Sequence, residues 1–284
     1  MQVQIPNKLI PIMFKTLLLL SSLVLLLPNF FNKDIIASLP YDGKENFDPN
    51  LSYLNSINKL SGYIDSIATE KKTPSNSFEY VQIVVTAIRY RFFHGFSHFA
   101  MNENWIAALS GKYIEIGLGC KVQPEDIMQH SNAACSQQAL VMMAVLRNKN
   151  ITYRNIGFPH HYAIEVLIDN TWFFFDTNME PIIPKEQRMA SYWKYQPDRL
   201  KQFYDHSRFM DLDYKFGIGL TATRGKINEL PALNARIFHS CTWLLSKIAW
   251  CFPLLLLLYR PAFSFKAPFS IRLAKKNAPP SLAV

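Results

Sequence analysis

A cysteine, a histidine and an aspartate in the middle of the chain have the residue types that nucleophilic acyl transfer requires. Cys135 falls in the first turn of a predicted helix, where unpaired N–H groups and the helix dipole favour a thiolate. His161 opens a predicted strand, and Asp176 ends the strand after it. A thiolate needs an imidazole to carry a proton, and the imidazole needs a carboxylate to fix its tautomer. The three residues therefore predict a Cys-His-Asp triad.

The two strands that carry His161 and Asp176 are predicted to form a β-hairpin. Asp169-Asn170 separates two runs rich in apolar residues, as expected for a two-residue turn. A turn centred there pairs His161 approximately with residue 178, which brings Asp176 onto the same face and within reach. His160 is an alternative base, but its side chain is expected on the opposite side of the strand. The hairpin should therefore deliver His161 together with its orienting carboxylate.

Two helices are predicted to pack with these strands. The first has Asn76 as N-cap with Glu79 in capping-box spacing, and Gly95 is expected to end it. The second carries the cysteine and has Ser131 or Asn132 as its predicted N-cap. The order of elements predicts an α+β domain in which the nucleophile helix packs on an antiparallel sheet.

The net charge of +9 resides at the two ends of the 284-residue chain. Residues 1–31 contain two bases and residues 236–284 contain seven, and neither stretch contains an acid. Residues 32–235 are neutral overall. Nucleic acid is not an expected partner, because phosphate binding needs a basic face on the folded domain.

Each basic end also contains an apolar run long enough to be a membrane segment. Residues 9–31 are predicted to be an uncleaved transmembrane anchor, with a cleaved signal peptide as the alternative. Residues 237–259 are predicted to be a second transmembrane helix, although Lys247 in its middle leaves a helix on the membrane surface as the alternative. Five bases after Tyr259 favour a cytoplasmic tail, which places the central domain outside the cytoplasm. A lipid bilayer is therefore an expected partner.

Residues 132–178 resemble the core of the transglutaminase-like superfamily of papain-like thiol enzymes, through the runs NAACSQQALVMMAVLRNKNITYRNIGF and HHYAIEVLIDNTWFFFDTN. In that family a cysteine opens a helix, a histidine starts a strand in a His-x-x-apolar-Glu-apolar pattern, and an aspartate follows Trp-x-x-x. The positions that match are Cys135, His161, Glu165, Trp172 and Asp176. Ala134 stands where the family often has a glycine, and the spacing from cysteine to histidine is rather short.

The resemblance implies acyl transfer from an amide or ester carbonyl through a thioacyl intermediate, with hydrolysis favoured over transamidation and no cofactor. Location suggests a peptide or protein of the cell envelope, such as a peptidoglycan stem, as substrate. Gln129 resembles the oxyanion-hole glutamine of papain-like enzymes, although a glutamine in a surface loop is the alternative. Glu165 and Trp172 are weaker supporting positions, and an ordinary ion pair is the alternative for Glu165. The competing class is a catalytically silent binding module of a membrane or envelope-polymer assembly.

The expected organisation has seven segments. They are a cytoplasmic N-terminus (1–8), a membrane anchor or signal peptide (9–31), a helical linker (32–75), the transglutaminase-like domain (76–181), an extracytoplasmic extension (182–236), a transmembrane helix (237–259) and a basic cytoplasmic tail (260–284).

Four cysteines leave an alternative to catalysis. Cys120 and Cys135 could form a structural disulfide, and that bond would consume the catalytic thiol. Cys241 and Cys251 are expected in one helix, about 15 Å apart along its axis and too far to bridge.

His94 and His98 have the i, i+4 spacing of a helical metal pair. Gly95 between them weakens a helix there, and no carboxylate motif accompanies the pair. Neither a metal nor another cofactor is expected.

Overall fold

The computed structural model describes residues 9–38, 40–206, 211–219 and 222–259, so the predicted segments 1–8 and 260–284 lie outside the described residues. The chain divides into two compact units, Leu25–Ala249 and Met1–Val24 with Trp250–Val284. Within the described ranges the fold has eleven α-helices and one four-stranded antiparallel sheet. The predicted α+β class is confirmed.

The elements are numbered in chain order. The helices are α1 (Leu9–Leu26), α2 (Ile57–Glu70), α3 (Phe78–Arg91), α4 (Met101–Tyr113), α5 (Pro124–Ile127), α6 (Cys135–Asn148), α7 (Ala190–Trp193), α8 (Asp198–Lys201), α9 (Leu212–Phe216), α10 (Leu233–Ile248) and α11 (Cys251–Leu258). The strands are β1 (Tyr153–Gly157), β2 (Tyr162–Ile168), β3 (Thr171–Phe175) and β4 (Thr223–Arg224), in the order β3-β2-β1-β4. Short 3-10 helices cover Leu27–Phe30, Pro49–Tyr53, Ile116–Gly119 and Lys185–Arg188.

The main hydrophobic core lies between helices α2, α3 and α6 and one face of the sheet. Alternate residues of β2 enter it, namely Ile164, Val166 and Ile168, together with Phe173 and Phe175 of β3. Burial of these side chains is the main force that fixes α6 on the strands. Helix α6, which carries Cys135, therefore packs on the antiparallel sheet.

The segment after β3 covers the other face of the sheet. Its buried residues form a second cluster with Phe158 and three residues of the strands. The strand residues are Ile156, Ala163 and Phe174, and the largest residues from the later segment are Trp193, Tyr204 and Phe216. The sheet is consequently buried on both faces, and residues from 183–204 and 212–216 pack around it.

Helix α3 begins one residue later than predicted. Ser77 rather than Asn76 is its N-cap, and the Ser77 hydroxyl accepts a hydrogen bond from the N–H of Tyr80. The helix ends at Arg91, before the predicted stop at Gly95.

One stretch of the described residues, Ile12–Phe30, is by itself long and apolar enough to cross a bilayer, a test of length and composition that a signal sequence would also pass. The single helix expected over 237–259 is instead two helices, α10 and α11, with Ala249 and Trp250 between them. That pair passes the same test only when it is counted as one broken span.

Candidate active site

Cys135 is the first residue of α6, so its predicted position in the first turn is confirmed. The chain before it is held by the segment that follows α3. The N–H of Phe93 donates to the Ser131 carbonyl at 3.1 Å, and the N–H of Ala133 donates to the Phe93 carbonyl at 2.9 Å. The first N–H groups of a helix have no partner within the helix, which favours an anion at this place.

Gln137 caps the start of α6, a role predicted for Ser131 or Asn132. Its Oε1 accepts hydrogen bonds from the N–H groups of Ala134 and Ser97, at 3.1 and 2.9 Å. Its Nε2 donates to the Ser97 carbonyl at 2.9 Å. The predicted cap is wrong because the N-cap is Ala134, which has no side-chain acceptor, and Gln137 at the third helical position binds the N–H of Ala134 instead.

The hairpin of β2 and β3 brings His161 and Asp176 together. Its turn, Asp169-Asn170, has positive φ at both residues, as a type I′ turn requires. Ile164 pairs with Phe175, which is the predicted register. Nε2 of His161 and Oδ2 of Asp176 are 2.6 Å apart, and both side chains are fully buried.

Asp176 receives four hydrogen bonds, a set that can hold a buried carboxylate in its charged form. Oδ1 accepts from the N–H groups of Asn178 and Met179, both at 3.0 Å. Oδ2 accepts from His161 and from the Tyr204 hydroxyl, the latter at 2.8 Å. Burial raises the pKa of Asp176, but His161 and these hydrogen bonds outweigh burial and hold that pKa below its usual value.

The environment favours a thiolate beside a charged imidazole. Burial by itself would lower the pKa of His161, but Asp176 and Cys135 raise it to about 9. Burial raises the pKa of the Cys135 thiol, but its interaction with His161 and the N–H of Tyr162 outweigh burial, so the net pKa is lowered. The pKa of Cys135 is thus lowered and that of His161 raised, which are the directions that a thiolate beside a charged imidazole requires.

Nδ1 is the nitrogen through which His161 can exchange a proton. Asp176 occupies Nε2, and Nδ1 is buried without a hydrogen bond of regular geometry to any residue that the structure describes. The Cys135 thiol interacts with the same ring. Cys135, His161 and Asp176 are therefore arranged as thiol, imidazole and carboxylate, the arrangement that thiol catalysis requires.

His160 lies in a different environment. The His160 ring stacks on the Tyr214 ring with centroids 3.9 Å apart. The backbone N–H of His160 donates to the Lys215 carbonyl at 3.0 Å. His161 is the partner of Asp176, as predicted, although His160 lies in a bend and His161 lies one residue before β2 rather than at the start of the strand.

Cys120 and Cys135 are both free thiols, so the alternative of a disulfide between them is wrong. Cys120 is buried, and its Sγ donates to the Ile116 carbonyl at 3.3 Å. Burial raises the pKa of Cys120 to about 12. The thiol of Cys135 is partly exposed and remains available for reaction.

Gln129, the candidate for a second oxyanion donor, is engaged elsewhere. Its Nε2 donates to the Asn55 carbonyl at 2.8 Å, and its side chain is exposed. This contact favours the alternative of a glutamine in a surface loop. The N–H of Cys135 is the donor that the helix start itself provides.

Glu165 and Trp172 contribute to the sheet rather than to the hydrogen bonds of the triad. Glu165 is fully buried and forms ion pairs with Arg154 at 2.5 Å and Arg224 at 3.2 Å. The Arg154 guanidinium also lies 4.1 Å from the centre of the Trp172 ring. The ordinary ion pair is therefore the role that the contacts of Glu165 support, and it joins β2 to β1 and β4.

Sequence reasoning missed Tyr204, whose hydroxyl completes the hydrogen bonding of Asp176. It also missed the aromatic wall of the histidine, since the Phe216 ring lies 5.2 Å from the His161 ring and the Phe158 ring 6.4 Å from it. The aromatic residues after 181 indicate packing against the domain. Nothing in their local pattern shows which hydroxyl reaches a carboxylate.

His94 is a second buried histidine near the triad, and the sequence suggested for it only a metal pair with His98. Both histidines lie in the segment after α3 rather than on a helix. Burial lowers the pKa of His94 to about 4, with further lowering by the charges of Lys215 and His161 and an opposing effect of Asp176. Its Nδ1 is buried without a hydrogen bond to any described residue. The ring is therefore a neutral neighbour of the charged pair.

The chain matches no protein-family model, no curated protein and no solved structure. The chemistry of the site therefore follows from its own residues. They provide a thiol at a helix start, an imidazole and a buried carboxylate, which are the groups that nucleophilic acyl transfer uses.

Proposed function

We propose that this chain is a transglutaminase-like cysteine enzyme that acts on amide bonds outside the cytoplasm through a thioacyl intermediate. The observation that supports the proposal is a single arrangement. The Cys135 thiol interacts with the ring of His161, and Nε2 of that ring is 2.6 Å from the buried carboxylate of Asp176. The packing of α6 on an antiparallel sheet is also consistent with the resemblance in residues 132–178.

In the first half of the reaction the Cys135 thiolate attacks the carbonyl carbon of an amide. The N–H of Cys135 donates to the developing oxyanion. His161 gives the proton on Nδ1 to the leaving amine, the C–N bond breaks, and a thioester remains on Cys135. Asp176 stays ionised throughout and holds the orientation of His161.

In the second half a water molecule attacks the thioester. Neutral His161 takes a proton from the water through Nδ1, the C–S bond breaks, and a carboxylic acid leaves. The thiolate and the charged imidazole are restored. An amine in place of water would make the enzyme a transglutaminase, and hydrolysis is favoured because it is the usual outcome for isolated domains of the family. A peptide or protein of the cell envelope is the proposed substrate because of the predicted location.

Alkylation of the thiol tests the central arrangement. The full chain in detergent is treated with iodoacetamide near neutral pH, and mass spectrometry locates the label over time. We expect rapid labelling of Cys135 and a decrease of at least about 100-fold in His161→Ala, because the thiol then loses the partner that lowers its pKa. His160→Ala is the matched control, since the neighbouring ring stacks on Tyr214, and it should leave the rate unchanged.

An inert Cys135 in folded protein, or equal labelling of wild type and His161→Ala, would contradict the proposal. That result would favour the catalytically silent binding module. The acceptor is tested separately, by incubating the enzyme with a peptide substrate in ¹⁸O-labelled water that also contains a primary amine. Label in the new carboxylate indicates hydrolysis, and an amide of the added amine indicates transamidation.

A further inference from the structure

Helix α10 has three polar side chains on the face that is buried against the rest of its unit, whereas Asn234 and Ser240 are exposed. Three residues on that face, His239, Thr242 and Ser246, are buried. Nε2 of His239 donates to the Leu118 carbonyl at 3.0 Å, and the Thr242 hydroxyl accepts from the amide of Asn104 at 2.9 Å. These bonds attach the helix to α4 and to the chain just after it.

Hydrogen bonds also join the C-terminal end of α10 to α4 and to the short helix Leu27–Phe30. Nζ of Lys247 donates to the Asn102 carbonyl at 2.6 Å and to Oδ1 of Asn29 at 3.1 Å. The amide of Asn29 donates in turn to the Ser246 carbonyl at 3.0 Å. The lysine that interrupts the apolar run is therefore bound by protein oxygen atoms.

The opposite face of α10, which we call the outer face, is mainly apolar, and the exposed Ser240 is its polar member. Residues that recur every three or four positions form it, and they are Leu233, Ile237, Cys241, Leu244 and Ile248. Cys241 is exposed, and the exposed fractions of the other four side chains are 57, 55, 51 and 38%. Trp243 and Leu245 flank this face and are exposed as well. Surface helices of water-soluble proteins have the reverse arrangement, with the apolar face directed inward.

The neighbours of α10 extend the apolar surface. Ile114 and Ile116 are exposed in the chain just before Leu118, whose carbonyl binds His239, and Phe30 is exposed in the short helix that binds the end of α10. That short helix is also the end of Ile12–Phe30, the stretch that is apolar enough to cross a bilayer. Exposed apolar side chains on α10 and on the segments bonded to it are typical of a surface that contacts lipid or protein.

We propose that α10 lies parallel to the membrane surface with its outer face in the interfacial layer of a lipid bilayer. The helix thereby attaches the unit Leu25–Ala249 to the membrane. The helix has 16 residues, about 24 Å of length, which is shorter than the roughly 30 Å of the hydrocarbon core. Its polar face is bound to α4, so α10 cannot enter the hydrocarbon without carrying the folded unit with it. An exposed tryptophan beside an apolar stripe is typical of such helices. This placement does not depend on the catalytic proposal.

The native thiol of Cys241 allows a direct test, because it is exposed on the outer face. The full chain, with the other cysteines replaced by alanine, is spin-labelled at residue 241 and reconstituted in vesicles of phosphatidylcholine and phosphatidylglycerol. We expect the nitroxide to collide more often with oxygen than with a water-soluble nickel chelate, at a depth of about 5–10 Å below the phosphates. Ile182→Cys is the matched control, since Ile182 is an isoleucine with 91% of its side chain exposed, and its label should favour the nickel chelate.

Three outcomes would overturn the proposal. Equal nickel access at residues 241 and 182 would show that water covers the outer face. A label near the bilayer centre would show a spanning helix. Dipolar broadening that disappears on dilution with unlabelled protein would show that a second copy covers the face.

If the variant with the other cysteines replaced by alanine does not fold, the wild-type chain and Ile182→Cys with all native cysteines are each placed in the same vesicles. Both are treated with a membrane-impermeant maleimide, and mass spectrometry follows the peptides that contain residues 241 and 182. The proposal expects the Cys241 thiol to react at least about tenfold more slowly than the cysteine of Ile182→Cys, because the apolar interface excludes the reagent. Equal rates would overturn it.

Discussion

The turn that ends at Cys120 and the helix that begins at Cys135 place two thiols in opposite states. Burial raises the pKa of both cysteines. Cys120 has the Ile116 carbonyl as its partner, which offers an anion no stabilisation, and its pKa stays high. At Cys135 the interaction with His161 reverses the effect of burial. The charge of a thiol's partner, rather than its distance from water, separates the reactive site from the inert one.

The largest expected difference is in alkylation of the two cysteines within one protein. At pH 7.5 we expect Cys135 to react with iodoacetamide at least about 1,000-fold faster than Cys120, because only the thiolate reacts. Between pH 7 and 9 the rate at Cys120 should rise about tenfold per pH unit, and the rate at Cys135 should rise far less. Peptide mass spectrometry measures both rates in one sample. Parallel pH profiles would remove the distinction between the two sites.

Asp176→Asn should have the next largest effect, because it removes the charge that raises the pKa of His161. We expect kcat to fall by about 100-fold to 10,000-fold, as for other triads that lose the carboxylate. The alkaline limit of activity, set in the wild type by a His161 pKa of about 9, should move to lower pH. Asp169→Asn is the matched control, since it changes an aspartate of the same hairpin at a positive φ that asparagine tolerates. An unchanged alkaline limit would show that Asp176 does not act on His161.

Tyr204→Phe should have a smaller effect through the same carboxylate. The Tyr204 hydroxyl lowers the pKa of Asp176, so its removal should raise that pKa and move the acid limit of activity to higher pH. A lowered carboxyl pKa contributes stability above pH 3.8, and this contribution is lost as the pH falls through the folded-state value. We expect a loss of about 1–3 kcal/mol in the free energy of unfolding near neutral pH, measured by urea titration.

Tyr192→Phe is the control for Tyr204→Phe, because Tyr192 is a partly buried tyrosine packed against the same cluster. Equal pH profiles for the two variants would show that Tyr204 only fills space.

Cys120→Ala should have the smallest effect on the reaction. We expect the alkylation rate at Cys135 to stay within about twofold, and the free energy of unfolding to fall by about 1 kcal/mol through the small cavity that the sulfur leaves. A large change in the reactivity of Cys135 would mean that the two regions are coupled.

The hairpin could be predicted because its determinants are local. Asp169-Asn170 fixes the turn, the turn fixes the register, and the register brings His161 to Asp176. The position of Cys135 at a helix start was also readable, since the apolar periodicity of α6 begins there. The N-cap, Ala134, was not readable, because alanine has no capping group and the Gln137 side chain that binds its N–H is also bound to Ser97, 40 residues away in the chain.

The contacts made by the later part of the chain could not be predicted for the same reason. Tyr204 reaches Asp176 across 28 residues, and no local pattern distinguishes that hydroxyl from those of neighbouring tyrosines. Residues 237–259 were predicted as one spanning helix because hydropathy counts apolar residues without showing which face the polar ones occupy. The contacts of His239, Thr242 and Ser246 separate the two faces, and only the folded chain contains them.

The short loop between His161 and Asp176 bears on how a newly made chain becomes reactive. The two residues are 15 positions apart and joined by one tight turn, so their pairing needs little loop closure and can form on the microsecond scale of isolated hairpins. The sulfur comes from a separate helix that must first dock on the strands. A newly made chain is therefore expected to have a thiol of ordinary reactivity at Cys135 until α6 has docked on the strands.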